Sequence, residues 1–158
     1  GSRLLYIPLM NYARGDLEDV REMLMSPNAM FGLSDAGAHC NSICDGSFPT
    51  TALTHWTRDR SRGERLGLEY VVHQQTQRTA HHVGWTDRGV IAAGMLADIN
   101  VIDHERLTLH PPRLIADLPA GGTRLMQSAV GYLATIKRGE VIAENGALTG
   151  ARPGRRQR

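Results

Sequence analysis

The chain has 158 residues, 41% of them apolar and 22% charged, enough to bury a sizeable core in one domain or in parts of two. Its formal charge of +2 comes from the closing RPGRRQR, where Arg152, Arg155, Arg156 and Arg158 meet no acid; without those four, the 18 basic residues fall to 14 against 16 acidic ones. A slightly acidic body with no basic stripe and no interleaved aromatics speaks against nucleic-acid binding, and no apolar run approaches the roughly 20 residues of a membrane span.

Leu4 to Leu9 reads as a buried strand. Asp16 is placed to cap a helix over LEDVREMLM, in which Leu17, Val20 and Leu24 share one face at spacings of three and four. Pro27 and Asn28 end that helix, and Ala29 to Leu33 forms a second short apolar run. The opening is therefore expected to be strand, helix, strand, the pattern of a parallel sheet. Cys40 to Pro49 reads as a loop, and TTALTHWTRDR as a helix capped by Thr50 or Thr51. RSRGERLG interrupts the pattern. From Leu68 to Val83 the spacing predicts one amphipathic helix, with Leu68, Val71, Val72 and Val83 apolar, Gln74, Gln75 and Arg78 polar, and Gly84 as the residue that stops it.

Composition shifts near Asp87. The expected domains are residues 1–87, α/β, and residues 88–158, a β subdomain with a basic tail. The later runs INVID, LATIK and EVIAE are β-prone, and YLATIKRGEVIAENG reads as a hairpin turning between Lys137 and Glu140. HPPRLIADLPAGG, rich in Pro and Gly, is expected to be an irregular connection.

Chemistry concentrates in FGLSDAGAH, Phe31 to His39. An apolar run stops at Ser34-Asp35 and passes into small residues, which puts a carboxylate at the mouth of a strand, where parallel α/β proteins gather their chemistry. Asp35 is read either as a turn or capping residue or as a catalyst. Gly32-Leu33-Ser34-Asp35-Ala36 also approaches a nucleophile elbow, G-x-S-x-G, with Ala36 in the last glycine's place; a loop follows where an elbow needs a helix, so a Ser34 hydrolase is the alternative. His81 and His82 are adjacent and point apart, and His55 and Asp59, four apart, read as a surface pair; His73 reads as a boundary residue. Cys40 and Cys44 have no second pair to complete a metal knuckle and are expected as free thiols.

The segment RGVIAAGMLADINVID resembles the G-x-I-x-x-G-x-x-A-D-I-x-V-x-D signature with which amidohydrolase-superfamily enzymes pass from barrel to β-sandwich, matched at Gly89, Gly94, Ala97, Asp98 and Asp103. ATIKRGEVIAENGALTG is similar to the closing strands of that sandwich. GLSDAGAH, FPTTALTHWTRDR, RLTLHPPRLIADLPAGG and TGARPGR resemble the N-acyl-D-amino-acid deacylase branch. The resemblance implies the fold class α/β plus β: the last strands and helices of a (β/α)8 TIM-like metallo-hydrolase barrel, then part of a small β-sandwich. It implies a zinc-dependent hydrolase of N-acyl-D-amino acids, with Asp35 as metal ligand and proton shuttle and with Ser34, Gly37 and His39 against the substrate. The family's H-x-H and other metal ligands are not among these residues, so the expected partners are the N-acyl amino acid and either the remainder of the barrel or an oligomer partner, with no nucleic acid and no membrane. With no secretory signal at its start, the chain is expected to be cytoplasmic. By itself it is expected to be inactive, the C-terminal part of a longer enzyme. A non-catalytic scaffold or interaction module is the further alternative.

Overall fold

A computed structural model describes residues 11, 12, 14–32 and 39–156. The expected strand Leu4–Leu9 and the end of the basic tail lie outside them. The helical part opens with α1, Glu18–Met25. The Asp16 carboxylate accepts the Glu18 N–H at 3.0 Å, which satisfies one of the donors a helix start leaves open. Leu17, Val20 and Leu24 pack against the core as their spacing requires. Of the second strand expected at Ala29 to Leu33, Leu33 lies outside the described residues, and Ala29 to Gly32 pair with no strand among them.

A 3-10 turn at Asp45–Ser47 leads into α2, Phe48–Thr51, which continues as a π-helix over Ala52–Asp59. This corrects the Thr50 or Thr51 cap. Pro49 sits in the first turn of α2, where its missing N–H costs nothing. Thr50 is buried inside the helix with its hydroxyl 2.7 Å from the Tyr132 hydroxyl. The long helix expected from Leu68 to Val83 is two: α3, Leu68–Gln75, and α4, Gln77–His82, broken at Thr76, whose φ of -124° and ψ of -89° no helix accommodates. Its buried face differs too. Val71 and Gln74 point inward, while Leu68, Val72 and Val83 are exposed.

The strands are β1 (Ile99–Ile102), β2 (Thr108–Leu109), β3 (Arg113–Ile115), β4 (Arg124–Met126), β5 (Ala129–Val130), β6 (Tyr132–Lys137), β7 (Glu140–Glu144) and β8 (Ala147–Leu148). They form an antiparallel four-stranded sheet in the order β1-β6-β7-β8 and two strand pairs, β2-β5 and β3-β4. The expected hairpin is β6–β7, with Lys137 opposite Glu140. Its two turn residues, Arg138 and Gly139, have φ of 52° and 83°, the left-handed pair that matches strand twist. HPPRLIADLPAGG is not merely irregular. It holds β3, and β4 returns against it with Leu114 opposite Leu125, folded over a 3-10 turn at Pro119–Gly121.

Phe31, Ala52, Leu53, Trp56, Leu66, Val71 and Leu107 make one core cluster, so the β half contributes Leu107 to a core otherwise built by the helical half. Phe31 meets Phe48 and Tyr70 edge-on at 6.1 and 6.2 Å between ring centroids. Among the described residues no helix is long and apolar enough to cross a membrane.

Candidate functional site

Ser34, Asp35 and Gly37 lie outside the described residues, and the structure says nothing of where they stand. The segments on either side of them are described. Before them, Phe31 is buried in the core and Gly32 is exposed, with open space where a side chain would be. After them, His39 is exposed with φ of 51°, and its carbonyl accepts the N–H groups of Ser42 at 2.7 Å and Ile43 at 3.0 Å. His39 therefore opens a hydrogen-bonded turn. Cys40 carries that turn to β4, because its carbonyl accepts the Leu125 N–H at 2.7 Å. The Cys44 thiol lies 3.9 Å from Gln127 Oε1. Burial, then the nearby Asp45 carboxylate, push that thiol above its ordinary pKa. Both cysteines are free, as expected.

Gly32 also borders a cavity of about 840 Å³, walled by Phe48, Leu53, Leu68 and Val72 on one side and by Ile99 and Ile102 of β1 on the other. The helical half and the β half meet along its floor. His104 Nε2 lies 3.0 Å from Thr57 Oγ1 and 3.1 Å from the Leu53 carbonyl. Since the Thr57 hydroxyl already donates to that carbonyl, the imidazole carries its proton on Nε2 and is the donor. Arg58 donates to the carbonyls of His104, Glu105 and Leu107, the last at 2.7 Å, and its guanidinium is held by Asp59. Sequence reasoning paired His55 with Asp59 on the surface. Asp59 instead serves Arg58, at 2.6 Å. His55 turns its Nε2 inward, where that atom is buried without a partner among the described residues, and its ring meets Trp56 edge-on. Burial, then Arg60, lower its pKa, with Asp59 opposing them.

Gln74 was assigned to a polar face and is 1% exposed, with both amide atoms unpaired among the described residues. No spacing signal could have found it, because a glutamine between His73 and Gln75 reads as a solvent position. His73, His81 and His82 are exposed.

A resident metal can be tested against these donors. Among the described residues no three His, Cys, Asp or Glu side chains come together in a way that could hold an ion. The described residues therefore do not fit zinc. Asp98, matched to the signature, has a structural task. Burial works to raise its pKa but is outweighed by hydrogen bonds from Lys137 at 2.5 Å and the Arg138 N–H at 3.0 Å and by the charges of Lys137 and Arg88, which hold it low.

A family model described as amidohydrolase family matches residues 3–143, a span that contains FGLSDAGAH and the whole of the barrel-exit signature. No curated protein and no solved structure shows a match.

Proposed function

The chain belongs to the amidohydrolase family, and from that premise we propose that it is the acid–base end of a zinc-dependent hydrolase that cleaves the amide bond of N-acyl-D-amino acids. The observation that carries this is the family match itself, which runs through Asp35 and its small neighbours. In this reading the Asp35 carboxylate takes a proton from the attacking water and hands it to the leaving amine, a transfer that needs an ionised acid at the reacting carbon. Ala36, Gly37 and Ala38 leave room for the substrate, and Ser34, Gly37 and His39 contact it. Zinc enters with Asp35 as one ligand. Because the described residues assemble no donor set, the other ligands are proposed to come from the remainder of the barrel or from an oligomer partner, and the compartment is proposed to be the cytoplasm. The fold proposed for the whole assembly is a (β/α)8 barrel closed by a β-sandwich.

The test measures hydrolysis of N-acetyl-D- and N-acetyl-L-amino acids with and without zinc, by this chain and by any longer protein whose reading frame contains it. Asp35→Asn is expected to abolish turnover without altering the circular dichroism. Turnover that is indifferent to zinc and lost in Ser34→Ala, but kept in Asp35→Asn, would transfer the chemistry to a serine hydrolase. A scaffold or interaction module is the second reading, favoured by the lack of a donor cluster among the described residues. It gains if no H-x-H-bearing barrel is encoded with this chain and no turnover is found.

A further inference from the structure

We propose that the bent hairpin from Thr108 to Val130 binds a small organic carboxylate, with Arg113, His110 and Ser128 at its charged end and Ile115 and Met126 under its apolar body. The inference is independent of the hydrolase reading. Thr108 and Leu109 of β2 face Val130 and Ala129 of β5, and the His110 N–H donates to the Ser128 carbonyl at 2.9 Å, which carries that pairing one rung further. Pairing resumes at Arg113, opposite Met126. Between these rungs Pro111 and Pro112 stand against Gln127 alone, two residues against one, which is a β-bulge. In an unbroken strand His110 and Arg113, three apart, would leave opposite faces; the extra residue brings them to one face, with Ser128 and Met126 across from them. Gln127 pins the bulge, since its Nε2 donates to the His110 carbonyl at 2.9 Å.

That face borders a cavity of about 320 Å³, at the small end of the roughly 300–1,000 Å³ range of ligand sites. No acid lines it. Among the described residues Arg113 makes no ion pair, and neither the His110 ring nor the Ser128 hydroxyl makes a hydrogen bond. Two rungs beyond Arg113, Ile115 faces Arg124, whose guanidinium takes both oxygens of Asp117, at 2.8 and 2.6 Å. Asp117 is thereby engaged. One face of the hairpin thus carries a guanidinium already forked on a carboxylate and a second one free to do the same. The free fork offers two parallel N–H bonds to a carboxylate, while the imidazole N–H and the serine O–H can reach lone pairs the fork leaves open. Arg113 is the one guanidinium that lines the cavity, which suits a monoanion. Ile115, half-buried, and Met126, 42% exposed, put hydrocarbon beside it, which favours an anion with an apolar body over phosphate.

The isotope-labelled full chain is titrated with hexanoate, hexanamide and inorganic phosphate at constant ionic strength, and its amide, arginine Nε–H and methyl resonances are followed by NMR. Hexanoate is expected to give saturable shifts centred on His110, Arg113, Ile115, Met126 and Ser128, with phosphate and hexanamide each at least several-fold weaker. Arg113→Gln should weaken hexanoate about tenfold or more, the worth of a charged hydrogen-bonded pair, and Ser128→Ala by a few-fold. Arg106→Gln removes an equal charge from an 86% exposed side chain outside the cavity and should leave hexanoate binding unchanged. The spectra of Arg113→Gln away from the hairpin report whether the variant keeps its fold, and Arg113→Lys, which keeps the charge and loses the fork, should recover only part of the affinity if Arg113→Gln does not. Shifts that never saturate or that spread evenly over the exposed arginines would overturn the proposal. So would phosphate or hexanamide binding as tightly as hexanoate, or equal weakening by Arg106→Gln and Arg113→Gln.

Discussion

Gly131 joins β5 to β6 with φ of 102°, and a Cβ there would stand 2.6 Å from the Leu107 Cα and 2.8 Å from its N. Those are backbone atoms, and Leu107 is wholly buried, so neither side can give way. Gly131→Ala is expected to destabilise the chain by at least about 1–2 kcal/mol, the cost of a left-handed residue alone, read as a lower urea midpoint. His55 makes a pH-dependent contribution. Its pKa is lowered in the folded chain, so between the unfolded value of about 6.5 and the folded one the unfolded chain binds more proton, and stability falls as pH drops through that window. Urea midpoints measured at pH 7.5 and at pH 5.5 should differ by less in His55→Phe than in the unaltered chain. At this scale sequence was a partial guide. Asp35 stood out because an acid ends an apolar run, but the burial of Gln74 and of His55 Nε2 arises from packing between elements and leaves no periodic trace.

The helix from Phe48 to Asp59 shows what such traces miss among elements. Its apolar and threonine content predicted a helix, and one is there, but the π-helical stretch widens the turn and leaves Arg58 facing the 104–107 segment of the β half. One guanidinium thus answers three carbonyls that no strand pairs. Arg58→Met, which keeps the stem and removes the donors, is expected to destabilise by about 1.5–3 kcal/mol, measured by denaturant titration. Leu107→Ala should cost about 2–5 kcal/mol, as a buried leucine does when its space cannot collapse. The hairpin β6–β7 and helix α1 were legible because their signals are local: a two-residue turn in one, a repeated spacing and an aspartate cap in the other. The break at Thr76 was not, since an unbroken polar and apolar alternation ran through it. The hairpin β3–β4 was hidden by its prolines, which lie mostly before and after the paired residues.

Across the whole molecule, the strand order leaves β1 with one unpaired edge among the described residues, beside the 840 Å³ cavity and near Ile91, which is 91% exposed. Open edges and apolar surface of this kind favour association. Light scattering on the purified chain is expected to show species heavier than a monomer, reduced by Ile91→Lys. With no donor cluster among the described residues, calorimetry is expected to show only weak zinc binding; tight stoichiometric binding by a monomer would move the site elsewhere. The turns described above also set an order of assembly. β6, β7 and β8 follow one another through Arg138-Gly139 and Asn145-Gly146, each with positive φ, so they close with little chain entropy to overcome, whereas β1 must reach β6 across some thirty residues. The three-strand meander is then expected to form first, with β1 docking after the barrier. In stopped-flow refolding, Gly139→Ala should slow folding nearly as much as it destabilises, while Val101→Ala should act almost wholly by speeding unfolding.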